Sequence, residues 1–122
     1  MSLGLAAIIL AAVGALVTGR LAWMFFRDPK AGLADATHRP EQLPQVMTNR
    51  YLSMTVLAVA AALYGDPLVI AVLFATYAFM GFSDASIYSR AGHPAIKHVA
   101  AGLAAAIVVI VALLAQFRNG AV

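Results

Sequence analysis

The sequence predicts an all-α integral membrane protein, a bundle of four antiparallel helices with both termini outside. Three observations carry this reading. Of the 122 residues, 63% are hydrophobic and 11% charged, and the mean hydropathy is +0.90. A soluble domain has about a quarter of its residues charged, so this chain cannot cover itself with polar surface. Four apolar runs each approach the roughly 20 residues that span a bilayer. The basic residues, finally, gather in two of the connections and are nearly missing from the others.

The expected helices cover residues 3–26, 46–64, 67–88 and 94–117, in one domain over 1–122. Helices are expected because an open strand edge leaves backbone polar groups unsatisfied in hydrocarbon. "YGDPLV" places Gly65 at a helix end, Asp66 as a cap and Pro67 at a first helical position. "RAGHPAI" repeats that punctuation with Gly92, His93 and Pro94. These two connections are short, which makes the last three helices antiparallel neighbours. The connection 27–45 is the one long polar segment; it holds Pro29, Pro40 and Pro44 and has room for a short interfacial helix. The first apolar run has no basic residue before it and is too long for a cleaved leader, so it is expected to stay as a helix.

Lysine and arginine set orientation. Arg27, Lys30, Arg39 and Arg50 lie in or beside the first connection, and Arg90 and Lys97 flank the third. The second connection has none, and the tail has Arg118. Both basic connections are expected in the cytoplasm, which puts both termini outside, in the periplasm of a bacterial inner membrane. The net charge of +3 then reads as orientation and contact with membrane lipid, and nucleic acid is not an expected partner. The chain has no cysteine, which removes disulfides and thiolate chemistry.

Lipid drives helices together only weakly, so small residues that let backbones approach are informative. Ala7, Ala11, Ala15 and Gly19 recur at four-residue steps on the first helix. Ala58/Ala62, Ala71/Ala75, Ala100/Ala104 and Gly102/Ala106 offer shorter seams on the others. They would serve packing within the chain or a homo-oligomer.

The polar cluster is the informative feature. Tyr77, Gly81, Asp84 and Tyr88 share one face of the third helix. Asp84 precedes Arg90 by six residues, about 9 Å of axial rise, which places it below the headgroups. A carboxylate there must face partners inside the protein. Arg20 and Trp23 on the first helix, Asn49 and Arg50 at the start of the second, and His98 one turn into the fourth all reach about the same depth. Asp84 and His98 are the acid–base candidates, since an imidazole exchanges protons readily near neutrality. Arg20, Trp23, Asn49, Arg50, Tyr77 and Tyr88 are candidate ligand-binding residues. A purely structural pairing of Asp84 with Arg20 or Arg50 explains the same residues, and Trp23 and Tyr51 also fit an interfacial aromatic belt. No metal site and no cofactor are expected: Asp84, His93 and His98 flank a turn, and no HxxH or ExxH pair is present.

The run "NRYLSMTVLAVAAALYGD…FSDASIYSRAGHPAIKHVAAG", residues 49–102, resembles a set of small four-helix membrane proteins of unknown function from bacteria and fungi. In these an arginine opens the second helix, an aspartate lies late in the third, and a glycine and a histidine follow; Arg50, Asp84, Gly92 and His98 take those places. The resemblance implies that these positions form a site and names no substrate. Small multidrug transporters are similar in size but look to a glutamate in the first helix, which here has no carboxylate. Sterol-isomerase-like bundles resemble this chain in the logic of an acidic membrane pocket. Three functions follow as expectations: a site for a lipophilic small molecule with acid–base chemistry of isomerase or cyclase type, an accessory subunit of a larger membrane complex, or a small proton-coupled transporter.

Overall fold

The computed structural model describes residues 2–120. Met1, Ala121 and Val122, at the ends of the expected 1–122 domain, lie outside the described residues. Every long element is a helix: α1 Leu3–Arg27, α2 Pro29–Asp35, α3 Leu43–Tyr64, α4 Pro67–Arg90 and α5 Ile96–Gly120, with a single 3-10 turn at Pro40–Gln42. Among the described residues, four helices are long and apolar enough to cross a membrane: Leu3–Arg27, Pro40–Tyr64, Pro67–Arg90 and Ile96–Arg118. The chain divides into two compact units, 1–49 and 50–122, with the boundary inside α3, where the sequence reading took one domain.

In the first unit, Ser2 caps α1 by accepting from the Leu5 amide. Asp28 stops α1 and caps α2, accepting from the Lys30 and Ala31 amides, with Pro29 at the first helical position. This turn folds α2 back onto the end of α1. Gly32 makes the approach close: a Cβ there would stand 2.7 Å from Phe25 Cγ. The short helix expected within 27–45 is therefore present, packed on α1 through Gly32 and Phe25. No residue of α1 is buried, and Ala7, Ala11, Ala15 and Gly19 are all exposed.

The second unit centres on the α4–α5 hairpin, whose two backbones run in close contact. Asp66 caps α4 by accepting from the Leu68 and Val69 amides at 2.8 and 3.1 Å, after Gly65 at φ +76° and before Pro67, as "GDP" predicts. Gly92 at φ +77° turns the chain toward α5. Only glycine adopts that left-handed conformation without Cβ strain.

Five boundaries differ from the sequence reading. α1 runs one residue further, to Arg27. α3 begins at Leu43, three residues early, because Pro44 is tolerated in a first turn that needs no amide donor. α4 continues to Arg90 and α5 to Gly120. α5 starts at Ile96 and not at Pro94, because Ala95 supplies its first carbonyl, accepting from the amides of both His98 and Val99.

The packing seam also differs. On α4 the buried residues are Ala71, Ala78, Gly81 and Ala85; on α5 they are Gly102, Ala105 and Ala112. Ala75, Ala100 and Ala104 are exposed. The seam's alanines recur in seven-residue steps, the interval at which two packed helices return to the same face, with Gly81 and Gly102 each three residues from a buried alanine. A Cβ on Gly81 would meet Gly102 N at 2.7 Å and Gly102 Cα at 2.9 Å, so the two backbones nearly touch there. From that contact the register sets Ala78 level with Ala105 and Ala71 level with Ala112. On α3, Ala61 is buried and Ala62 exposed, which shifts the expected Ala58/Ala62 face by one residue. α3 stands off from the hairpin and is bridged to it by Tyr77, whose hydroxyl donates to the Met54 carbonyl at 2.6 Å.

Candidate functional site

The glycine contact positions the site. Asp84 lies one turn after Gly81 on α4, and His98 one turn before Gly102 on α5. Close approach at Gly81–Gly102 therefore brings those two side chains together. His98 Nδ1 stands 3.9 Å from Asp84 Oδ2. That is too long for a hydrogen bond and short enough for an ion pair when the imidazole carries a proton. Tyr88, one turn below Asp84, lays its ring on the imidazole with centroids 4.7 Å apart and planes within 10°. A protonated imidazole in that position is held by the ring face as well as by the carboxylate. His93, in the α4–α5 turn, approaches the other side of Tyr88 edge-on at 6.4 Å.

Beside this cluster is a cavity of about 310 Å³ between α3 and the hairpin. Asp84 and His98 are the carboxylate and the imidazole among its lining residues. Tyr51 and Met54 of α3 line it from one side, and Phe74, Tyr77, Met80 and Gly81 of α4 from another. Ala101, Ala104, Ala105 and Val108 close the α5 side. The alanines are what leave room: larger residues at 101 and 104 would fill the space. Phe74 and Tyr77 pack against each other at 5.3 Å, and the hydroxyl of Tyr77 is engaged by Met54. Tyr77 therefore offers its ring to the cavity and not its O–H.

The expected site residues separate into three groups. Asp84, His98 and Tyr77 line the cavity, and Tyr88 supports His98 from outside it. Arg50 is exposed on α3 and does not line the cavity, although its neighbour Tyr51 does. Arg20, Trp23 and Asn49 belong to the first unit. Arg20 Nη1 bonds Asp35 Oδ2 at 3.0 Å, and Trp23 stacks on Phe26 with Arg27 over its ring, both at 5.9 Å. Within its own unit Asp84 has His98 as its ionic neighbour, at 3.9 Å. Within the first unit, α2 folds back and supplies Arg20 with a carboxylate, that of Asp35. Tyr51 was assigned to an aromatic belt, and Met54, Phe74 and Met80 were not singled out. Phe74 and Met80 share a helical face with Tyr77 and Asp84, a signal that could have found them; Tyr51 and Met54 lie on another helix and have none.

Within the cavity the chemistry is simple. One carboxylate and one imidazole face an apolar, aromatic space, with no lysine or arginine among the lining residues. Such a pair can hold a polar group of a ligand or pass a proton to and from it. No protein-family model, no curated protein and no solved structure matches the chain.

Proposed function

We propose that residues 50–122 form a membrane-embedded binding site for a lipophilic small molecule, in which Asp84 and His98 act as acid–base groups of isomerase or cyclase type. In this reading the four long helices form an antiparallel bundle in a bacterial inner membrane, both termini outside and the site near the cytoplasmic face. The placement of Arg27, Lys30, Arg39, Arg90 and Lys97 supports that orientation. It also keeps the kinship with small four-helix membrane proteins drawn from Arg50, Asp84, Gly92 and His98.

One observation carries the functional reading: a cavity of about 310 Å³ lined by the Asp84–His98 pair among aromatic and aliphatic side chains. Small-ligand sites have this character, apolar with a few convergent polar groups, and begin at about this size. A pocket open to the bilayer would take its ligand from lipid, which suits a lipophilic substrate.

Mass spectrometry of small molecules carried through purification tests this. Ala101→Phe fills the cavity from a position outside the buried seam. A species present in stoichiometric amount with the wild type and missing from Ala101→Phe supports the site. Identical molecules in both preparations count against it. Turnover or binding unchanged in folded Asp84→Asn would remove the aspartate from the chemistry.

A second reading, an accessory subunit of a larger membrane complex or a homo-oligomer, is favoured by α1, which has no buried residue and whose Ala7, Ala11, Ala15 and Gly19 are exposed. Purification in mild detergent separates the two: a stoichiometric partner protein supports this reading.

A further inference from the structure

We infer that the cavity selects a lipophilic cation: an organic ammonium with apolar substituents. The inference rests on the binding site proposed above and names its ligand class. Three features converge on it. Asp84 is the only acidic side chain lining the cavity, and no lysine or arginine lines it. Its carboxylate accepts no hydrogen bond from the described residues, and its one ionic neighbour, His98, stands off at 3.9 Å. The rest of the polar recognition is aromatic: Tyr51, Phe74 and Tyr77 line the same space, and the Tyr77 hydroxyl is already committed to Met54.

Each ligand class meets these groups differently. An anion would be brought against a carboxylate at membrane depth. A neutral molecule would strip water from Asp84 and return at most a hydrogen bond, with no counter-charge. A cation meets the carboxylate as its counter-charge and the ring faces as a negative quadrupole, an attraction that strengthens when water is excluded. Apolar substituents on the nitrogen would fill the part lined by Ala101 and Ala104.

Equilibrium dialysis of the full chain in lipid nanodiscs, with empty nanodiscs subtracted, tests this with three labelled probes of one chain length: decyltrimethylammonium, decanol and decyl sulfate. Decyltrimethylammonium should saturate at one per chain and bind at least about tenfold tighter than decanol, with decyl sulfate weakest. Asp84→Asn should erase that preference, and Phe74→Leu should weaken the cation about threefold or more. Ala101→Phe should abolish saturable binding. Decanol binding as tightly as the cation in the wild type, with Ala101→Phe still blocking both, overturns the cation assignment and leaves the cavity standing. No saturable binding of any probe overturns the cavity reading with it. The wild-type ranking needs no variant to fold.

Discussion

Replacing Gly81 by alanine probes the contact on which the site is built. The added Cβ would lie 2.7 Å from Gly102 N, 2.9 Å from Gly102 Cα and 3.1 Å from His98 O. All three atoms are backbone, so no side chain can rotate away. Ordinary contact begins at about 3.5 Å, so α4 and α5 must part locally by roughly 1 Å. Overpacking of this kind costs about 1–3 kcal/mol. Removing a glycine from a helix returns up to about 1 kcal/mol. The net loss should be about 1–2 kcal/mol, a five- to thirtyfold shift in the unfolding equilibrium. Titration with sodium dodecyl sulfate in mixed micelles, followed by circular dichroism, measures it. Gly14→Ala on α1 is the control: no heavy atom lies within 4 Å of its added Cβ, so only the helix gain remains. Gly102→Ala should fall between them, because its Cβ would meet the ring of Phe82, which can turn aside. If Gly81→Ala matches Gly14→Ala in stability, the close crossing of α4 and α5 is wrong.

Other consequences follow from the same geometry. Tyr77→Phe removes the 2.6 Å bond to the Met54 carbonyl and should cost about 0.5–1.5 kcal/mol in the same titration, with greater hydrogen exchange in α3. Asp66→Ala removes the acceptor for the Leu68 and Val69 amides and should cost about 1 kcal/mol; Asp66→Asn should recover most of it. A double-mutant cycle on Arg20 and Asp35 should give a coupling below about 1 kcal/mol, since their side chains are 65% and 37% exposed.

Much of the fold was legible because its signals are local. Apolar length marks spanning helices, and "GDP" states a glycine end, a cap and a proline start in three letters. "GHP" looked equivalent, but its proline stays outside the helix, since Ala95 provides the first carbonyl. The seam was misread for a different reason. Alanine is so frequent that four-residue steps occur on every helix, and only the partner decides which steps are used. The seven-residue series Ala71–Ala78–Ala85 and His98–Ala105–Ala112 was present in the letters and is distinguished by having a complement. Axial rise placed Asp84 and His98 at one level, and the structure joins them. The same argument gathered Arg50, which does not line the cavity, because rise along a helix says nothing about its neighbours. Arg20 went to Asp35 through a fold-back of α2 that rise alone does not predict. Tyr51 has the position of an interfacial belt residue; its part in the cavity depends on how far α3 stands from the hairpin.

The α4–α5 crossing sets Asp84 against His98. Carbon–nitrogen dipolar recoupling by solid-state NMR on protein in lipid bilayers measures this directly, with aspartate carboxyl carbons and histidine ring nitrogens labelled and His98→Gln used to assign the signal. A carboxyl–imidazole coupling consistent with the 3.9 Å between Oδ2 and Nδ1 is expected, lost in His98→Gln and weakened in Gly81→Ala. A coupling absent from the wild type in bilayers, or one that persists in His98→Gln, would contradict it.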